Sequence, residues 1–244
     1  ANLVLHHNGY QEIYDGDEMI AEIYYLSGHL SVEIHTEKTV NITTAIQADS
    51  CAIHASGQVN IDAELLLNSY LEVSAESLCL FQATNATDIN LTIKKDLIIA
   101  APVKTDGLQI DAGSVVQNAG AKTVANHLRL IADECEIVGD FKASKQSSIT
   151  INTFKLGADA EQTTIELSGD NCLHIGNCSV QGDTQLLINQ TDAHAEGELF
   201  IYGDMDISGL ALVELENVNF DASNVKNDAT LRAKDGIVKI DVLS

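Results

Sequence analysis

The fold is decided by residues 91–139, which read LTIKKDLIIAAPVKTDGLQIDAGSVVQNAGAKTVANHLRLIADECEIVG. Short runs in this stretch alternate apolar and polar residues, as in LTI at 91–93, LQI at 108–110 and LRL at 128–130. Alternation with a period of two places every second side chain on one face of a short strand. No apolar stripe of helical period accompanies these runs, so the stretch predicts strands and almost no helix.

The same apolar-x-apolar start recurs along the chain. The starts begin at Cys51, Leu71, Leu91, Leu108, Leu128, Ile149, Ile165, Leu186, Leu210 and Leu231, in steps of 16 to 24 residues that average 20. A unit this short cannot bury its apolar face alone, whereas coils stacked at about 4.8 Å per layer bury a continuous column. We therefore predict an all-β fold, a right-handed parallel β-helix (β-solenoid) of about ten or more coils with repeats of about 20 residues, continuous over residues 51–244.

Residues 1–50 differ in composition from the repeats that follow. They contain four of the six tyrosines, Tyr10, Tyr14, Tyr24 and Tyr25. An open strand edge at the end of a solenoid favours aggregation, and a terminal cap usually covers it. We expect this region to form a cap or irregular first coils, and a recognition surface built on the four tyrosines is the alternative.

The repeats in residues 91–139 resemble those of filamentous haemagglutinin-type adhesins and related secreted bacterial exoproteins. The likeness lies in the L-x-I-x-A start, the period of about 20 residues and the Asn/Gly corners, and it extends over residues 51–243. The resemblance implies a β-helix within a longer exported bacterial chain, located outside the cell or on its surface, with adhesion as its role. The Asn-Pro-Asn motif of that family's secretion domain does not occur in this sequence.

The charge of the chain argues against two classes of partner. Lys and Arg number 13 against 36 Asp and Glu, which gives a formal net charge of -23. A negative field of this size repels phosphate backbones and anionic lipid surfaces, so we expect no nucleic-acid partner. The most apolar run, residues 97–103, is interrupted by Pro102 and is much shorter than the ~20 residues of a membrane helix, so no membrane insertion is expected.

The cysteines bear on the cellular location. Cys51, Cys79, Cys135, Cys172 and Cys178 form no CxxC pair and are odd in number, which argues against a disulfide framework and a structural zinc site. At least one thiol is therefore free, and a free cysteine is most often a small buried apolar residue. Because free thiols are more typical of the cytoplasm, a cytoplasmic location is the alternative to an extracellular one.

One segment resembles a catalytic motif. Thr105-Asp106-Gly107 is similar to the Asn-Thr-Asp-Gly motif of polygalacturonases, β-helical enzymes whose carboxylates protonate the glycosidic oxygen and activate water. The segment Asp170-Asn171 resembles that family's second carboxylate segment, but Asp170 follows Asp106 by 64 residues, about three coils or 14 Å along the column. Asp111 is closer, yet five positions along an unbroken strand would put it on the opposite face. We expect Asp106 to be a turn residue without catalytic duty.

A second group of side chains has the chemistry of metal ligands. Asp192, His194, Glu196 and Glu198 would project from one side of an extended segment and offer nitrogen and oxygen atoms to a divalent ion. A solvated loop is the commoner structure for such a segment. The sequence therefore predicts no metal and no other cofactor, and these four residues are the candidates if one binds.

These observations favour a non-enzymatic elongated scaffold or adhesin segment that presents loops and a β-face to a protein or glycan receptor. The alternative is a β-helical carbohydrate-active protein, a hydrolase or lyase, with its site near Asp106. Sugar-processing β-helices commonly use aromatic platforms and basic residues, whereas this chain has no Trp and few cations. The composition therefore favours the scaffold.

Overall fold

A computed structural model describes residues 2–5, 10–15, 18–26, 29–43, 45–157, 162–191 and 197–244, with side chains from Leu30 onward. Strands make up 79% of the structure, and the described residues contain no helix, hence none that could cross a membrane. The strands are β1 (Asn2–Leu5), β2 (Tyr10–Asp15), β3 (Glu18–Leu26), β4 (His29–Thr36), β5 (Val40–Ile42), β6 (Ile46–Ala55), β7 (Gln58–Ile61), β8 (Leu65–Ala75), β9 (Ser77–Leu80), β10 (Thr84–Asn85), β11 (Asp88–Ile99), β12 (Val103–Lys104), β13 (Gly107–Gln117), β14 (Lys122–Ile137), β15 (Asp140–Leu156), β16 (Thr163–Val180), β17 (Thr184–Gln190), β18 (Gly197–Ile207), β19 (Leu212–Glu216), β20 (Val218–Asn227), β21 (Thr230–Lys234) and β22 (Val238–Leu243).

The chain winds into a parallel β-solenoid of about 11 coils, with successive coils about 19 residues apart. Each coil has three faces, which we define on β14: face one contains residues 123–125, face two contains 127–132 and face three contains 134–137. Equivalent faces of neighbouring coils pair in parallel, as Leu108 does with Leu128 on face two and Val115 with Cys135 on face three. At about 4.8 Å per layer the coils form a column about 50 Å long. The predicted β-solenoid is confirmed.

The N-terminal strands pair differently from the coils. β1, β2 and β3 run antiparallel to their neighbours, and β3 pairs antiparallel with β4. β4 then pairs in parallel with β6, so parallel stacking begins at β4. The region 1–50 thus contains both antiparallel strands and the first parallel layer.

One column of apolar side chains fills the solenoid from end to end. Its central row on face two consists of in-register neighbours, namely Ile34, Ile53, Val73, Leu91, Ile110, Leu130, Ile149, Leu173, Leu199 and Phe220. Burying each such side chain stabilises the fold by roughly 1.5–3 kcal/mol relative to its exposure. Because every layer repeats the alternation, similar aliphatic residues stack on one another and no single coil needs a core of its own.

The predicted repeat starts are wrong in register at several positions. The sequence pattern groups Ile165, Leu186 and Leu231 with starts such as Leu128, but these three residues lie on face one. The inward residues of the central row are 18 to 26 residues apart, so an average period does not fix which face a start belongs to.

Three further starts lie outside the inward row that contains Leu108 and Leu128. Leu91 pairs with Ile110 and Ile149 pairs with Leu130, so Leu91 and Ile149 belong to the central row, whereas Leu108 pairs with Ile89 in the neighbouring inward row. Leu210 is 80% exposed because it lies in the turn before β19, where Ala211 and Val213 are the buried residues.

Candidate functional site

An open groove lies on the outer side of face two. It has a volume of about 600 Å³ and crosses five neighbouring strands, β8, β11, β13, β14 and β15. Four steps between strands correspond to a length of about 20 Å. The groove therefore runs along the axis of the solenoid, across the strands, and has room for a segment of an extended polymer.

Two rows of outward-facing residues line the groove. Row one is Tyr70, Asp88, Gly107, His127 and Gln146, and row two is Glu72, Asn90, Gln109, Arg129 and Ser148. The residues between the two rows, such as Leu108 and Leu128, point into the core. The alternation that builds the core therefore also brings ten polar or small residues, far apart in sequence, to one surface.

Gly107 leaves a gap in the middle of row one. A Cβ atom at this position would collide with Oδ1 of Asp88. The absence of a side chain therefore gives the Asp88 carboxylate the space at the centre of the groove. An alanine here would displace only the end of the flexible Asp88 side chain, so the glycine is a local fit and not a requirement of the backbone.

Charge is distributed unevenly along the groove. Glu72 and Asp88 lie towards one end, and His127 and Arg129 lie towards the other. Of the two arginines in the chain, Arg232 pairs with Glu214 at 3.9 Å, whereas Arg129 has no ion-pair partner among the residues that the structure describes. An exposed guanidinium with free donors can form directed hydrogen bonds to a ligand.

Asp106 lies beside the groove, in the corner that precedes face two. Its Oδ1 accepts a hydrogen bond from Nδ2 of Asn126 in the next coil, and Ser144 Oγ donates to Asn126 Oδ1 at 2.6 Å. The hydrogen bond from Asn126 lowers the pKa of Asp106. A glycosidic general acid needs a raised pKa, so this environment suits a structural corner residue and not an acid catalyst.

Neither of the other two aspartates considered as partners of Asp106, Asp170 and Asp111, forms an acid–base pair with it. Asp170 follows Gly107, His127 and Gln146 in row one, three coils beyond the coil of Asp106, as the sequence predicts. Asn171 is 1% exposed and points into the core. The expectation that Asp106 and Asp111 face opposite ways is wrong: both are exposed, because Asp106 lies in the corner before β13 begins.

The groove does contain one pair of neighbouring carboxylates. Glu72 pairs in register with Asn90, so Asp88 lies two positions away on the adjacent strand and on the same outer face. Strand spacing and rise place the two Cα atoms on the order of 8 Å apart. A glycosidase requires two carboxylates that flank one bond, so these residues, and not Asp106, are the pair that the alternative function would use.

The four tyrosines of the predicted recognition surface lie in the antiparallel strands. Tyr10 and Tyr14 belong to β2, and Tyr24 and Tyr25 belong to β3. The backbones of Tyr10 and Tyr24 are in-register partners. Their side chains lie outside the described part of the structure, so the recognition surface stays a prediction.

The predicted metal ligands fall largely outside the described residues. Asp192, His194 and Glu196 are not described, whereas Glu198 lies in β18 in register with Cys172. Potential ligand atoms of Glu198, Cys172 and His174 all lie within 4.8 Å of one another. Sequence reasoning missed this group because Cys172 and Glu198 are 26 residues apart, and only the coil register joins them. The available signal was the alternation Cys172-Leu173-His174, which puts both polar residues on one face.

No family model, curated protein or solved structure matches this chain. The resemblance to filamentous haemagglutinin-type adhesins therefore rests on the repeat pattern alone, and the function is argued from the geometry of the surface.

Proposed function

We propose that this chain is a non-enzymatic elongated scaffold, an adhesin-like segment of a bacterial surface or secreted protein, whose groove on face two binds an extended receptor. The observation that carries the proposal is the pair of outward rows, which line a continuous groove over five coils. A rigid β-column holds these side chains at a fixed spacing of about 4.8 Å, so a ligand with a repeating backbone can contact successive layers.

The chemistry of the groove favours a glycan over a protein surface. Row two offers amides and a hydroxyl at Asn90, Gln109 and Ser148, and row one adds the rings of Tyr70 and His127. Protein interfaces are typically built around a buried apolar and aromatic centre, which this lining does not resemble. The net charge of -23 disfavours strongly anionic glycans and leaves neutral or cationic ones.

The arrangement of the candidate carboxylates near Asp106 supports the proposal of a non-enzymatic role. Asp106 has a lowered pKa, Asp170 is three coils beyond, and Asn171 is buried. One specific observation favours the alternative of a carbohydrate-active protein, namely that Glu72 and Asp88 lie on neighbouring strands on the same outer face.

An extracellular or surface location is compatible with the free thiols. Burial raises the pKa of Cys51 and of Cys178 to about 12, and it raises the pKa of Cys135 as well. Buried thiols with raised pKa values are poor nucleophiles and resist oxidation. The free cysteines therefore carry little weight in favour of the cytoplasmic alternative.

The experiment that tests the proposal is a glycan-array and host-cell binding screen with the purified chain. We expect binding to one class of extended glycan, reduced in a Gln109→Ala variant and unchanged in Glu136→Ala, which alters an exposed residue of face three. If a double variant with Gln109→Ala and Arg129→Ala kept full binding, the receptor site would lie elsewhere and the proposal would be contradicted.

A further inference from the structure

A cluster of three chemically distinct ligands lies beyond the end of the groove. Row two continues from Ser148 to Cys172 and then to Glu198, in register on β15, β16 and β18. His174 follows Cys172 by two positions on β16. The residue between them, Leu173, is fully buried, so Cys172 and His174 both lie on the outer side of face two.

The distances in this cluster are close to those of a bound metal. The Sγ atom of Cys172 is 3.9 Å from Oε2 of Glu198, and one ligand atom from each of the three residues lies within 4.8 Å of the others. Metal–ligand bonds of about 2.0–2.3 Å in tetrahedral geometry place ligand atoms roughly 3.5 Å apart. Small side-chain movements, without any change in the strands, would therefore close the three ligands around one ion.

The imidazole of His174 is held in place by neighbours that leave one nitrogen for a metal. Nδ1 lies 2.6 Å from the hydroxyl oxygen of Tyr202, and the ring is 5.2 Å from that of Phe200. Metal-binding histidines usually make a hydrogen bond through the second ring nitrogen, which fixes the tautomer and the orientation. Tyr202 supplies such a hydrogen bond at Nδ1, and an ion bound through Nε2 would preserve it.

The electrostatic surroundings favour a cation. Glu198 pairs in register with Cys172, and Asp170 lies two positions before Cys172 on the same outer face, so two carboxylates neighbour the thiol. Cys172 is also the one cysteine of the five that is partly exposed, so it is accessible to an ion from solvent. A divalent cation would offset the mutual repulsion of thiolate and carboxylates.

We propose that Cys172, His174 and Glu198 bind one divalent transition-metal ion, with Zn²⁺ as the preferred ion. Sulfur, nitrogen and oxygen ligands together suit Zn²⁺, whereas Ca²⁺ and Mg²⁺ prefer all-oxygen sites. The ion joins β16 to β18 across the longest step in the central row, the 26 residues from Leu173 to Leu199. It therefore acts as a clip between two coils where the connecting segment is longest.

Cobalt(II) is the probe for this site, because a cysteine ligand gives it a strong thiolate-to-metal absorption band. We expect the purified chain to bind one Co²⁺ with this band and Zn²⁺ to displace it. Cys172→Ser should abolish the band, and His174→Ala and Glu198→Gln should weaken binding by more than about tenfold. Cys79→Ser is the matched thiol control on face three, and His54→Ala is the matched histidine control on face two; both should bind as the unmodified chain does.

Two further measurements distinguish metal binding by Cys172, His174 and Glu198 from metal binding elsewhere on the chain. Zn²⁺ should slow alkylation of Cys172 in the unmodified chain and raise its melting temperature, and Cys172→Ser should lose the thermal effect while keeping its strand-dominated circular dichroism spectrum. Absence of the charge-transfer band in the unmodified chain, which needs no variant to fold, would overturn the proposal. So would metal binding that survives in Cys172→Ser and disappears in His194→Ala, because the ion would then bind through residues 192–196.

Discussion

Ile110 in β13 lies directly against Leu130 in β14, in register and with neither side chain exposed to solvent. The next residue of the central row, Ile149, continues the stack in β15 with 1% exposure. Arg129, one position before Leu130, lies on the outside in row two of the groove. Substitutions at Arg129 and Leu130 therefore test which of these two side chains points into the core.

Leu130→Asp should destabilise the solenoid strongly, because it places a charge without a partner between two apolar layers. We expect a loss in the free energy of unfolding on the order of 4 kcal/mol, measured by urea denaturation. Arg129→Asp should change it by less than about 0.5 kcal/mol, since its side chain is exposed. Equal losses in the two variants would show that the register is wrong.

The pKa of Asp106 should be lower than that of an ordinary aspartate, because Asn126 donates a hydrogen bond to the charged carboxylate. A carboxylate with a lowered pKa in the folded state stabilises the fold above its unfolded pKa, and this contribution is lost as the pH falls through the folded value. Asn126→Ala should therefore raise the pKa of Asp106, measured by NMR titration. A value unchanged by this substitution would mean that the corner hydrogen bond does not act on Asp106.

The groove carboxylates should have no hydrolytic activity. Purified protein incubated with polygalacturonate and with neutral glycans should release no reducing ends, and Glu72→Gln, Asp88→Asn and Asp106→Asn should leave that background unchanged. Turnover that disappears in Glu72→Gln or Asp88→Asn would establish the carbohydrate-active alternative, with the pair of adjacent carboxylates as acid and base.

The five thiols should differ sharply in reactivity towards iodoacetamide at pH 8. Cys172 should react in the folded chain because it is partly exposed, whereas burial and raised pKa values should protect Cys51, Cys135 and Cys178. Cys79, 6% exposed, should react slowly. Mass spectrometry before and after unfolding measures each site, and rapid native labelling of Cys51 would contradict the packing of the first coils.

The sequence predicts the class of fold well because period-two alternation and a short repeat leave few other ways to bury the apolar residues. It predicts the inward positions of Ile110 and Leu130 correctly, since the coils around them have nearly equal lengths. It fails where coil length changes: Ile165 lies on face one and Leu210 is exposed, and their steps of 16 and 24 residues depart most from the average of 20. The face on which a residue lies depends on how its strand pairs with the neighbouring strands, and the mean spacing of the repeats does not give that pairing.

The same limitation explains why neither surface site could be predicted. The rows of the groove join residues about 19 positions apart, such as Gln109 and Arg129, and a shift of one position would place them inside the core. Cys172 and Glu198 meet only because their coil is 26 residues long. The alternation Cys172-Leu173-His174 was the one signal in the sequence, and it does not stand out because polar outward residues occur on every strand.

We propose that the groove on face two binds an extended glycan without cleaving it. Isothermal titration with the best ligand from the glycan array tests it most directly, comparing the unmodified chain with a Gln109→Ala and Arg129→Ala double variant and with Glu136→Ala and Lys155→Ala on face three. We expect the double variant to lose more than about tenfold in affinity, the equivalent of roughly 1.4 kcal/mol, while the face-three variants bind normally. Equal affinity in the double variant and the unmodified chain would contradict it.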